Sequence, residues 1–151
     1  MKGWVLKGDK LLKENQRLII EGIIKCPSET GGLPHLLGNK CKSCGKVFFP
    51  KRLICPNCFT DTTLVEFELS PKGKVYTYTI VHYPSPAGIE VPYAYGYVDL
   101  PEDNIRVFSL FTESNPAKLE IGMDVELVVE EIRTDKDGTK IIGYKFRPKN
   151  F

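Results

Sequence analysis

Several signatures of catalysis are absent from this sequence. It has no G-x-S-x-G nucleophile elbow, no Gly-rich phosphate loop and no paired-carboxylate motif. Of the two histidines, His82 has no second histidine, serine or carboxylate placed by sequence to make it a base. Direct catalysis therefore has the least support of the function classes weighed below. No apolar run approaches the roughly 18 residues of a membrane span, and the first thirty residues hold no signal-type apolar core. A soluble, cytoplasmic protein is expected. With 151 residues and a 42% hydrophobic share, the chain can bury the core of one domain or of two small ones.

Charge of one sign is also lacking, since the net charge is only +2. It is unevenly spread, however. Residues 1–60 hold eleven Lys and Arg against four Asp and Glu, and residues 61–151 hold ten against fifteen. The amino-terminal half suits a phosphate-bearing ligand or an acidic protein surface, although scattered solvated lysine explains any single residue as well.

Cysteine is scarce but concentrated. Four of the five cysteines form two Cys-x-x-Cys pairs, Cys41/Cys44 and Cys55/Cys58, in the stretch CKSCGKVFFPKRLICPNC. Each pair turns two thiolates toward one ion, and two pairs complete the tetrahedral four-sulfur shell that Zn²⁺ prefers. Iron fits the same cage, so ligand type alone leaves both metals open. A closed shell has no position for water or substrate, which makes the site structural. Gly45 suits the tight turn after the first pair, whereas Phe59 stands after the last cysteine, where many ribbons have glycine. Lys40, Lys42, Lys46, Lys51 and Arg52 surround the cluster, partly offsetting the charge of a four-thiolate centre. The fifth cysteine, Cys26, reads as core filler rather than as a nucleophile.

The flanks read differently from each other. Asp9 can cap a helix running to about Glu21, with Leu11, Leu12, Leu18, Ile19 and Ile20 as its apolar patch, and a short helical turn is expected around His35 to Leu37. Trp4 ahead of it either tucks into the fold or meets a partner. The arms of the ribbon are expected at Val47 to Pro50 and Lys51 to Ile54. From Thr63 onward the hydrophobic period is two: Leu64 to Leu69, Val75 to Tyr83, Tyr93 to Leu100, Ile105 to Phe111, Asp124 to Ile132 and Lys140 to Arg147 read as strands. Tight turns are expected at Pro101–Asn104 and Asp135–Gly138, and a longer connection at Thr112 to Gly122. Five long strands with a crossing between the third and fourth match the Greek-key OB-fold barrel, with a plain sandwich as the alternative. The expected organisation is mainly β: a helical segment over 1–37, a rubredoxin-like zinc ribbon over 38–61 and an OB-fold over 62–151.

Tyr93, Tyr95 and Tyr97 share one strand face, and Tyr76, Tyr78 and His82 are expected to share a face of the strand before it. They can stack on bases or simply pack across strands. Electrostatics argues against nucleic acid, because Arg106 is the only cation on the two strands such barrels present and their loops are acidic.

The segments CKSCGKVFFPKRLICPNC, GKVYTYTIVHYP, VPYAYGYVDL and YKFRP together resemble a family of zinc-ribbon and OB-fold proteins long catalogued as a domain of unknown function, found in archaea and bacteria beside thiolase genes. The resemblance runs from about Leu11 to Pro148. It implies a noncatalytic, acyl-CoA-associated partner of acetoacetyl-CoA thiolase and hydroxymethylglutaryl-CoA synthase, with the four cysteines as metal ligands. Lys51 and Arg52 are then candidates for the phosphates of coenzyme A, and Tyr93 and Tyr95 for its pantetheine arm.

Overall fold

The structure, a computed structural model, describes residues 6–7, 10–11, 15–25, 32–112 and 115–149. Its strands in chain order are β1 (Leu6–Lys7), β2 (Lys10–Leu11), β3 (Gln16–Leu18), β4 (Ile24–Lys25), β5 (His35–Cys41), β6 (Val47–Phe48), β7 (Leu64–Glu68), β8 (Lys72–Val81), β9 (Tyr93–Leu100), β10 (Ile105–Phe111), β11 (Asp124–Thr134) and β12 (Lys140–Pro148). The one helical turn among them is a 3₁₀ turn, Pro116–Lys118, capped by the Asn115 side chain, which accepts from the Ala117 N–H. No helix among the described residues is long and apolar enough to cross a membrane.

The long strands close a barrel. β8 pairs with β9, β9 with β10, β11 with β12 and β11 with β8, all antiparallel. A short parallel contact of β10 with β12, Leu110 to Lys145 and Phe111 to Phe146, shuts the ring. That closure excludes the plain sandwich and gives the five-stranded Greek-key order of an OB-fold. Alternation decides which side chains fill it. Ala94, Val98 and Leu100 point in from β9 and pack with Val75, Val107, Val125, Leu127 and Phe146. Two local devices let the sheet bend hard enough to close. The register shifts between Val75 and Thr77, so Tyr76 is the extra residue of a β-bulge. Just past it, Gly96, paired with Tyr78, lets β8 approach so closely that a Cβ there would stand 2.0 Å from the Thr77 carbonyl oxygen.

The bulge corrects the expected tyrosine face. Past it the phase of β8 slips by one, so Tyr76 stays outside while Tyr78 turns inward and donates from its hydroxyl to the Leu119 carbonyl at 2.7 Å. Tyr93, Tyr95 and Tyr97 do share the outer face of β9, where Tyr95 and Tyr97 pack against Phe108 at centroid separations of 5.5 and 5.8 Å.

Among the described residues the helical segment expected at the amino terminus is not found. The described positions form short strands joined by turns: β1 pairs with β2, and β3 runs parallel to β12 through Gln16–Lys140, Arg17–Ile141 and Leu18–Ile142. Leu18 is buried in the common core while Ile19 and Ile20 are exposed, so the apolar patch serves a strand edge rather than a helix face. The helix-cap position Asp9, Trp4 and Cys26 lie outside the described residues. Likewise, the turn expected at His35 to Leu37 is the start of β5, because Leu36 is buried and Leu37 pairs with Glu68.

β5 is the centre of the second lobe, flanked by β4, β6 and β7. β7, read from sequence as one more strand of the β-rich half, pairs with β5 over Leu37–Glu68 to Cys41–Leu64. The two lobes share one core, in which Leu36 and Leu69 continue the barrel interior and the Phe49 ring meets Tyr144 edge-on at 5.9 Å. Gly96→Ala is expected to cost the fold about 1–3 kcal/mol or more, because the barrel must reopen to admit one methyl. A thermal melt should show a lowered midpoint; an unchanged midpoint would mean that the close approach of β8 and β9 does not limit packing.

Candidate metal centre

Two knuckles with one hydrogen-bond pattern deliver the four cysteines. In the first, Cys41 N–H donates to the Lys46 carbonyl at 2.9 Å and Gly45 N–H to the Cys41 carbonyl at 2.8 Å. In the second, Cys55 N–H donates to the Thr60 carbonyl at 2.9 Å and Phe59 N–H to the Cys55 carbonyl at 2.8 Å. The residue closing each knuckle has a left-handed backbone, φ +76° at Gly45 and +56° at Phe59. Glycine adopts that conformation freely; for a side chain such as phenylalanine it costs about 1–2 kcal/mol.

The sulfur atoms all lie within 4.8 Å of one another, with Cys41 to Cys58 at 3.9 Å and Cys44 to Cys55 at 3.7 Å. A regular tetrahedron of sulfurs about 2.3 Å from zinc has edges of about 3.8 Å, so the donor set fits a four-thiolate ion. Cys41 and Cys55 are buried and Cys44 and Cys58 partly exposed. Their thiols are differently poised. A hydrogen bond from the Thr63 hydroxyl, 3.1 Å away, leads in lowering the Cys41 thiol to about 6, and a backbone hydrogen bond from Lys46 leads in lowering Cys44. At Cys58 a hydrogen bond from Ser43 pulls down, but burial and the other three sulfurs outweigh it and push the thiol up to about 11. Four sulfurs this close disfavour full ionisation unless a cation sits among them.

Two residues that shape the site have no motif in the sequence. One is Thr63, just ahead of β7, whose carbonyl also accepts from Lys42 N–H at 2.9 Å. The other is Asn39, buried on β5. Its side-chain amide donates to the Arg52 carbonyl at 2.7 Å and its oxygen accepts from Arg52 N–H at 3.2 Å. The second expected arm, Lys51 to Ile54, is therefore not a ladder strand: one side chain does the pairing that a neighbouring strand would have done.

The surrounding cations divide. Lys51 pairs with Glu66 at 2.5 Å and Lys40 lies over the Phe67 ring at 5.3 Å. Lys42, Lys46 and Arg52 are exposed and make no ion pair among the described residues. Lys51 and Arg52 are thus on the ribbon, while Tyr93 lines a groove of about 710 Å³ on the barrel with Ile89, Phe111, Ile132, Arg133 and Lys145. Neither Lys51, Arg52 nor Tyr95 belongs to that groove's lining. Arg106 is held by both oxygens of Asp99, at 2.6 and 3.2 Å, and lies over the Tyr76 ring, so the one cation of β9 and β10 is already engaged.

Comparison with known proteins places these features together. Residues 31–64 match the ChsH2 rubredoxin-like zinc ribbon domain and residues 66–130 the ChsH2 C-terminal OB-fold domain. A DUF35 domain-containing scaffold protein of Methanocaldococcus jannaschii is 43% identical over 115 residues, covering 75% of this chain and 81% of that protein. The benzoylsuccinyl-CoA thiolase subunit BbsA of Thauera aromatica is 38% identical over 128 residues, covering 83% of each. Among solved structures, the Ltp2-ChsH2(DUF35) aldolase superposes with a TM-score of 0.61 at 30% identity, over 76% of this chain and 84% of that one.

Asn39→Ala should strand the Arg52 backbone N–H and carbonyl and cost about 1–3 kcal/mol for each group left without water or protein partner. Proteolysis within residues 51–54 is the readout: faster cleavage in the variant is expected, and equal rates would show that Asn39 does not hold the segment.

Proposed function

The chain belongs to the DUF35 family of zinc-ribbon and OB-fold proteins, and from that premise we propose that it is a cytoplasmic, noncatalytic scaffold for thiolase-type enzymes. More specifically, it holds an acetoacetyl-CoA thiolase together with a hydroxymethylglutaryl-CoA synthase. The observation that carries this reading is the reach of the similarity. A named scaffold and a named thiolase subunit are each matched over more than four-fifths of their own length.

The chemistry of the site supports it. Cys41, Cys44, Cys55 and Cys58 would hold one Zn²⁺, which supplies folding free energy and no open coordination position for substrate. Iron also suits four thiolates, but the matched domain is a zinc ribbon. For the acyl-CoA exchanged between such enzymes, the open groove at Tyr93 has the volume of a small-molecule site, with Ile89, Phe111 and Ile132 set in a mostly polar lining as the contacts for a pantetheine arm. On the ribbon, Arg52, without an ion pair among the described residues, suits a phosphate better than Lys51, which Glu66 occupies. The rival reading, nucleic-acid binding, loses support because Arg106 is already engaged by Asp99.

Two outcomes are expected. Strong chelation should strip about one zinc per chain and unfold the ribbon; because the Cys58 thiol, up at about 11, must lose its proton to bind, zinc should also be lost more readily as pH falls. Metal analysis and amide exchange across residues 38–68 check both, and a ribbon still protected without metal contradicts them. In a second measurement, size-exclusion of the zinc-loaded chain with purified thiolase and synthase should give a ternary complex. Failure to bind either enzyme, with micromolar salt-sensitive binding to single-stranded RNA instead, would replace the scaffold reading.

A further inference from the structure

The second knuckle carries a side chain that the fold does not use. Phe59 sits in the left-handed conformation that Gly45 adopts at the matching position of the first knuckle, so glycine would close the turn with less strain. Its side chain is 84% exposed and enters no ring contact among the described residues. The hydrogen bond from Cys55 N–H to the Thr60 carbonyl brings the end of the 53–54 segment beside it. There Leu53 and Ile54 are 90% and 56% exposed. The same ribbon carries Lys42, Lys46 and, next to Leu53 in the chain, Arg52, all exposed and without ion pairs among the described residues. Asp61 is the only acidic residue from Cys41 to Thr63.

We propose that Phe59, Leu53 and Ile54 form a plug that enters an apolar pocket, rimmed by carboxylates, on the thiolase-type partner; this rests on the scaffold reading above. A central apolar anchor inside a ring of charge is the arrangement that concentrates binding energy at protein interfaces. The unpaired cations Lys42 and Lys46 favour an acidic rim on the partner and suit steering rather than burial. Leucine and isoleucine have no flat face to stack on bases, which disfavours nucleic acid. Three apolar side chains and three cations also fall short of the broad apolar face and the roughly four to eight basic residues that hold a protein on an anionic membrane. A second copy of this chain offers the acidic half of its barrel, but a plug-to-barrel contact is heterologous and would build rings or open filaments rather than a two-fold dimer.

Phe59→Gly separates docking from folding, since glycine relieves the turn. The zinc-loaded variant should melt no earlier than the parent chain, while its Kd for the purified acetoacetyl-CoA thiolase of the same source weakens about tenfold or more. Leu53→Ser should behave alike, and added salt should weaken the parent complex. Undiminished binding by both variants overturns the plug and leaves the scaffold reading standing. No complex with the parent chain removes that reading and the plug with it. The plug is equally overturned if Phe59→Gly instead abolishes self-association, RNA binding, or retention on phosphatidylglycerol vesicles.

Discussion

The convergence of four sulfurs depends on backbone hydrogen bonds before it depends on any metal. Each knuckle folds back on its own first cysteine through the same two bonds, so both present their thiols to a common point. What the bare protein cannot do is keep that arrangement cheaply. Buried thiols a few ångströms apart resist ionisation, and a lobe of this size has little apolar surface to hold them. A cation at the centre reverses both difficulties, and structural zinc sites contribute about 10–16 kcal/mol on this account.

From that point the rest of the lobe is built outward. β5 ends on Cys41, pairs with β6 and β7, and carries Asn39, which ties down the chain leading into the second knuckle. β7 then hands the chain to the barrel through Leu69, and Ser70 N–H donates to an Asp103 carboxylate oxygen at 2.6 Å in the β9–β10 turn. The lobes are therefore one continuous core rather than beads on a linker. This matters for a scaffold, since rigidly joined surfaces hold two partners at a fixed separation at a lower entropy cost than a flexible tether.

Much of this was legible in the residues. The cysteine spacing located the ribbon, and the two-residue period from Leu64 onward marked every strand of the barrel, because both signals are local. Elements fixed by distant partners were not legible. Gln16–Leu18 reads as part of a helix running to about Glu21, yet it is extended because β12 offers it a parallel edge more than a hundred residues away. Tyr76 and Tyr78 looked like one face until a bulge, which has no residue signature here, moved Tyr78 inside. Asn39 and Thr63 are ordinary polar residues in sequence and acquire their roles only when β5 brings the two knuckles together. Phe59 was visible as a departure from glycine, though only its backbone angle gives that departure a cost.

The claim on which the account stands is that one zinc ion is held by four thiolates and organises the lobe that meets the barrel. X-ray absorption at the zinc edge, on protein purified without added metal, tests it directly. Four sulfur neighbours at about 2.3 Å are predicted. A shell containing nitrogen or oxygen, or protein that carries no tetrahedral metal while its ribbon stays folded, would contradict it.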